Sequence, residues 1–299
     1  MDGFINFCKD TGIASNKALD KIKRATGEPK AGFLGTLDPI ASGILPVALG
    51  WATKLFPYFE KVPKKYRATI IFGSETDTQD STGTVTATAP TEGVTAEKLR
   101  AVLRDFTGEI DQVPPMYSAK KVNGQRLYHI ARKGGEVERE AKKVFVHEVE
   151  LVEFAEGSAI ITATVSQGTY IRTLCEDVGR KLGSAAHMGA LIRQQVHVFG
   201  IEDSWPIERL EDRRDFPAEW LLPMDAPLQF LTRVDVSARE ESLLLNGQQV
   251  TCAEKISGKV RVYGPDGRFM GVGVADSVIR KLGPEKIFSA DRFAASPRR

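Results

Sequence analysis

VFVHEVELVEFAEGSAIITATVSQGTYIRTLCEDVGRKLG, residues 144–183, decides the fold class. The runs Val144–Phe154 and Ala159–Ser166 are rich in β-branched residues and read as successive strands. Ile171, Leu174, Cys175, Val178 and Leu182 then fall on one helical face, and Gly183 is the stop. Adjacent strands followed by a single helix recur along the chain. GFINFC (3–8) is a short buried strand, and Ser15 is a helix N-cap before Ala18, Leu19, Ile22 and Ala25, with Gly27 as terminator. YRATIIF (66–72) and TVTATA (84–89) are strands, and Thr95 opens a helix striped by Leu99, Val102, Leu103 and Phe106 and closed by Gly108. Strands and helices mixed irregularly predict an α+β fold rather than a doubly wound parallel sheet.

A boundary is expected near residues 223–235, where PMDAPLQFLTRVD carries two prolines. Beyond it the pattern is short strands and tight turns. KVRVYGPDGRFMGVGVA (259–275) reads as a hairpin turned by Pro265, Asp266 and Gly267. The remaining stretch is enough for a small β barrel but marginal as an isolated fold.

The 299 residues are 42% hydrophobic and 27% charged, which excludes a disordered chain, a collagen and a coiled coil. No apolar run approaches the ~18 residues of a membrane span. No secretory signal is visible at the start, and three widely spaced cysteines fit a reducing cytosol, so a cytoplasmic protein is expected. Net charge is only +2 but is unevenly spread. Residues 1–67 carry 11 Lys/Arg against 6 Asp/Glu, whereas residues 68–115 carry 3 against 8. Such blocks are compatible with a basic groove for nucleic acid, but surpluses this modest are more often ordinary solvated faces.

The four histidines form no HExxH pair, and neither CxxC nor a phosphate-binding GxxxxGK[ST] loop occurs. Zinc therefore has no obvious home. TDTQDSTG (76–83) lacks the alternating acids of a calcium loop and reads as a polar turn between strands. The most unusual segment is AGFLGTLDPIASGILPVALG (31–50), where Asp38 is the single ionisable group among small and apolar residues. Asp before Pro39 suits a helix N-cap, with Ala41–Leu49 as a short apolar helix. A lone carboxylate in apolar surroundings is also how a catalytic acid, base or nucleophile is built.

Residues 31–50 closely resemble the catalytic segment of the pseudouridine synthases that modify the T-loop of tRNA, the TruB-type tRNA pseudouridine-55 synthase family. KYRATIIFGSETDTQDSTG (65–83) resembles the family's second motif. PPMYSAKKVNGQRLYHIARKG (114–134) resembles its RNA-contacting segment, and SQGTYIRTLCEDVGRKLG (166–183) the motif that carries its arginine. All occur in the family's order. The resemblance implies a mixed, mainly antiparallel catalytic domain over residues 1–232. Residues 233–299 more loosely resemble a PUA domain, a small RNA-gripping β barrel.

The activity implied is isomerisation of uridine to pseudouridine at position 55 of tRNA. The base is flipped, its glycosidic bond is opened by an aspartate, and uracil re-attaches through C5. By resemblance Asp38 is the nucleophile, Arg172 its cationic partner and Tyr66 the platform for the flipped base. Lys9, Phe33, Tyr170 and Leu191 occupy substrate-binding positions. The implied partner is the T-arm stem-loop, with no membrane, metal or cofactor, and the protein is expected to be a monomer. Three positions depart from the family pattern. Asp10 stands where proline is usual, Ile192 where a second arginine is usual, and Phe33 replaces the histidine associated with filling the hole left by the flipped base. Two other classes compete: a metal-dependent phosphodiesterase using Asp38, Asp77 and Asp80, and a non-catalytic tRNA-binding folding chaperone that would not need Asp38.

Overall fold

The structure, a computed structural model, describes residues 1–118, 121–122, 125–126, 130, 135, 137–206, 218–252 and 255–289. Part of the expected RNA-contacting segment 114–134 therefore lies outside the described residues. The first half contains β1 (Gly3–Lys9), α1 (Ser15–Thr26), β2 (Ala31–Phe33), β3 (Ala41–Leu49), β4 (Lys64–Phe72), β5 (Ser74–Thr76), β6 (Val85–Thr88), α2 (Ala96–Asp105) and β7 (Gly108–Gln112). There follow β8 (Lys121–Val122), β9 (Gln125–Arg126), β10 (Lys142–Ala155), β11 (Ser158–Val165), α3 (Ile171–Lys181), β12 (Ala186–Val196), β13 (Phe199–Gly200) and β14 (Trp205–Pro206). The C-terminal part holds β15 (Thr232–Asp235), α4 (Ala238–Leu245), β16 (Val250–Thr251), β17 (Gly258–Tyr263), β18 (Phe269–Asp276) and β19 (Lys281–Ile287).

The main sheet runs β14-β1-β3-β12-β4-β11-β10-β7, with β2 on β3 and β13 on β12. The β1–β14 and β12–β3 pairs are parallel and the others antiparallel, which is the mixed α+β sheet expected. Alternation decides its faces. Tyr66, Ala68, Ile70 and Phe72 of β4 and Ala159, Ile161, Ala163 and Val165 of β11 turn to one side. There they pack against Leu99 and Leu103 of α2 and Leu174, Cys175 and Val178 of α3. The α2 stripe is set by Thr95, whose side chain accepts from the Lys98 N–H as predicted.

The expected short helix over Ala41–Leu49 is instead the strand β3. Its residues are buried apart from the half-buried Ser42. β1 pairs along one edge of it from Gly43 to Leu49. On the other edge β12 pairs with Ala41–Gly43 and β2 with Val47–Leu49. A segment lined by partners on both edges satisfies its backbone groups through the ladder, and this overrides the helix-start signal of Asp38-Pro39. Gly43 is required at that junction: at φ +100° a Cβ would lie 2.3 Å from the Arg193 carbonyl oxygen. Loop 34–40, which carries Asp38, leaves the sheet where β3 exchanges β2 for β12 as neighbour.

The C-terminal sheet runs β15-β17-β18-β19-β16 around Val234, Val260, Val262, Met270 and Leu282. The predicted hairpin is β17–β18, closed by a bond from the Gly264 N–H to the Arg268 carbonyl and by Gly267 at φ +76°. Val272 and Phe288 also pack with Phe4, Ala48 and Phe59, so this unit shares core with the main sheet.

Candidate active site

Loop 34–40 is held at several points. Arg193 of β12, 1% exposed, donates from Nε to the Ile44 carbonyl at 2.6 Å and from Nη2 to the Gly35 carbonyl at 2.9 Å. Ser15 was expected to cap α1 but is its first residue; the capping position is Ala14, which offers no side-chain bond. The buried Ser15 hydroxyl instead accepts from the Leu37 N–H and donates to the Leu37 carbonyl, both at 2.9 Å. The Gly12 N–H donates to the Pro39 carbonyl at 2.7 Å. Asp38 is therefore carried by a segment whose backbone is tied on both sides of it.

Arg172 lies at the start of α3, where the helix dipole disfavours a cation. Oxygen acceptors offset this. Its Nε is 3.0 Å from Asp38 Oδ2, and Nη1 donates to the Thr78 carbonyl at 2.9 Å. Nη2 donates to the Tyr117 carbonyl at 2.8 Å. Asp80 Oδ2 lies 3.7 Å from Nη1. Arg172 is buried, not the surface arginine that its helix-start position alone would suggest. Asp80 is fixed by Thr78 Oγ1 at 2.8 Å, the Thr82 N–H at 3.0 Å and Thr82 Oγ1 at 2.5 Å.

Two carboxylates thus face one guanidinium. Burial pushes the Asp38 carboxyl above its ordinary range; Arg172 opposes this, Asp80 adds to it, and Lys9 opposes it. Lys9, at the end of β1, is buried and donates to the Asp10 and Ile13 carbonyls, both at 2.7 Å. Burial draws its ammonium down to about 8.

Tyr66 and Leu191 are buried in one cluster with Leu37, Ala41 and Ile171, the apolar residues around Asp38 in the loop and Arg172 in the helix. Tyr66 also lies close enough to the Arg193 guanidinium to favour its charge. Tyr170 is half-buried, its N–H donating to Gln112 Oε1 at 2.7 Å and its carbonyl accepting from Gln112 Nε2 at 3.0 Å. Phe33 is half-buried beside the cluster of Ala18, Leu19, Ile22 and Val47, on the far strand of the β2–β3 hairpin from Asp38's loop exit. Sequence reasoning named Asp80 only within the competing metal-dependent reading and missed Arg193. The spacing Thr78-x-Asp80-x-Thr82 was a usable signal, because an acid flanked by threonines at two residues is a local hydrogen-bonding turn.

Family models match almost the whole chain in three consecutive blocks. The TruB family pseudouridylate synthase N-terminal domain matches residues 23–171. The tRNA pseudouridylate synthase B C-terminal domain matches 172–229 and the pseudouridine synthase II TruB C-terminal domain 232–280. The chain belongs to the TruB family of pseudouridylate synthases. The tRNA pseudouridine synthase B of Caldanaerobacter subterraneus is 40% identical over 96% of this chain and 99% of the relative. That of Aromatoleum aromaticum is 41% identical over 97% and 93%. A crystal structure of a Cbf5-Nop10-Gar1 complex superposes with a TM-score of 0.71 at 25% identity, covering 96% of this chain and 85% of that one. The TruB family assignment accounts for the order of elements and for the C-terminal sheet following the catalytic fold.

Proposed function

We propose that the protein isomerises uridine 55 in the T-loop of tRNA, with Asp38 as the catalytic carboxylate. The observation that carries this is the Asp38–Arg172 pair at 3.0 Å, set beside Tyr66 and Leu191 in a family of tRNA pseudouridine synthases. A uridine within a folded loop must leave its stack to be reached. Tyr66 and Leu191 supply flat and apolar walls for it, and stacking contributes ~1–3 kcal/mol. Arg172 holds the Asp38 carboxylate ionised against its burial and fixes its direction.

The chemistry balances without a redox partner. The bond between uracil N1 and ribose C1′ breaks, a bond from C5 to C1′ forms, and the C5 proton is exchanged for one on N1. An ionised Asp38 serves either by attacking ribose or by removing a ribose proton. Tyr170, anchored by Gln112, lines the approach, while the fully buried Lys9 acts on Asp38 only as a nearby cation. Phe33 stands at the position that would fill the space vacated by the flipped base, although part of its ring packs against the α1 cluster. Residues 1–232 form the catalytic domain, and residues 233–299 a PUA-like domain that adds contacts to the RNA. The protein acts as a cytoplasmic monomer without metal or cofactor.

The test is to incubate the protein with a T-arm hairpin and map pseudouridine by sequence position. Conversion at the position equivalent to 55 is expected; no conversion, or conversion elsewhere, overturns the reading.

A further inference from the structure

Gln79 stands out in the turn between β5 and β6. It has φ +62°, a left-handed conformation that glutamine seldom adopts. It is also tied at every polar group. Its N–H donates to the Thr76 carbonyl and its carbonyl accepts from the Met188 N–H of β12, both at 3.0 Å. Its side-chain oxygen accepts from Thr173 Oγ1 at 2.7 Å, and its side-chain nitrogen donates to Glu176 Oε1 at 3.0 Å. Thr173 and Glu176 belong to α3, one and four residues beyond Arg172. The residues on either side of Gln79 both face Arg172: the Thr78 carbonyl accepts from Nη1 and the Asp80 carboxylate lies 3.7 Å from it.

We propose that Gln79 is a positioning residue for the Asp38–Arg172 pair: by locking the left-handed turn onto α3 it aims Thr78 and Asp80 at the guanidinium. A reversal of the backbone at residue 79 presents both neighbours to one side. The primary amide suits the role because it carries a donor for Glu176 and an acceptor for Thr173 at one end. Glutamate in its place would set a second carboxylate against Glu176, which already lies near Glu75 and Asp177 and is balanced by Arg180 at 2.8 Å. If the turn relaxes, Nη1 loses its acceptor and the guanidinium swings from Asp38. Asp38 then faces Asp80 with only Lys9 opposing.

The proposal rests on the catalytic reading of Asp38 and Arg172, so Asp38→Asn is measured in parallel. Gln79→Gly keeps a residue that accepts φ +62° and removes only the amide; Gln79→Ala also strains the backbone. Glu75→Gln, which weakens the Arg180 clamp on the outer face of α3, is the structural control. The readouts are kcat and KM on a T-arm hairpin, Tm, and the pH profile of kcat/KM. For Gln79→Gly we expect kcat to fall about tenfold to a hundredfold, the scale of an ångström-level misplacement, with KM little changed. Its acid limb should move to higher pH, because Asp38 loses the cation that favours its ionised form. Glu75→Gln should lower Tm and leave the limb in place. The proposal is overturned if Gln79→Gly keeps the parent's kcat and limb. It is also overturned if activity merely follows Tm in Gln79→Gly and Glu75→Gln alike with no shift of the limb. Should Asp38→Asn itself turn over, the catalytic reading fails; should Asp38→Asn be dead while Gln79→Gly is unaltered, only the positioning role fails.

Discussion

Arg172 reaches Asp38 with its Nε at 3.0 Å while both of its terminal nitrogens are spent on the backbone carbonyls of Thr78 and Tyr117. The guanidinium fork is therefore used on three segments at once: loop 34–40, the β5–β6 turn and the start of the 114–134 segment. A lysine carries the charge but lacks the planar fork.

Arg172→Lys is accordingly expected to lower kcat by about 10²-fold, because a point charge cannot hold Asp38 and both carbonyls together. Steady-state kinetics with a direct RNA-binding measurement checks this. A variant within threefold of the parent would show that the fork geometry is dispensable.

The acid limb of kcat/KM should lie above the ~3.9 of an unperturbed aspartate. Asp38 is raised, chiefly by burial, and the proposed mechanism needs it ionised, so activity should grow as pH rises through its elevated value. The linked stability effect has the same sign: a raised folded-state value means the ionised form is disfavoured by folding. Asp38→Asn should thus gain stability relative to the parent as pH climbs through that value. Denaturant titrations of both proteins across pH 4–8 measure the difference.

Lys9 titrates in the opposite sense. Its folded-state value of about 8 lies below that of the unfolded chain, so folding is disfavoured while the ammonium is charged and recovers as pH rises above 8. Relative to Lys9→Met, the parent should become steadily more stable from pH 8 toward 10.4. A parallel pair of curves would show that Lys9 pays no burial penalty.

Phe33 distinguishes packing from RNA contact. It is half-buried, so Phe33→Ala should reduce Tm modestly, while kcat/KM falls by ~1–3 kcal/mol if the ring fills the gap in the RNA stack. Phe33→His should keep most activity. A large loss of Tm in both variants with kcat/KM unchanged would assign the ring to the core alone.

The strands over Tyr66–Phe72 and Ala159–Ser166 and the α3 face were legible because one side of each meets the core and the period shows. β3 was not. Buried on both faces, its run of apolar residues has no period to separate strand from helix, and Asp38-Pro39 gave a local signal that the ladder overrode. Asp38 stood out in the sequence as a lone carboxylate, but its pairing with Arg172 was to be expected only through resemblance, since the two are remote in sequence. Ser15 misled for a related reason: a good capping hydroxyl was drawn off by the distant Leu37 backbone. Arg193 and Gln79 make their contacts between elements, which no local pattern encodes, whereas Asp80 left a local trace in the threonines two residues to either side of it.

The central claim is that the Asp38 carboxylate performs the isomerisation, and Asp38→Asn tests it most directly. A T-arm hairpin is titrated with parent and variant for affinity, and pseudouridine at the target position is quantified in a single turnover. We expect the variant to bind the RNA as the parent does, because phosphate contacts carry most of the affinity, and to lose ~10³-fold or more in rate. Turnover within tenfold of the parent would contradict the account and favour a tRNA-binding protein whose Asp38 is not catalytic.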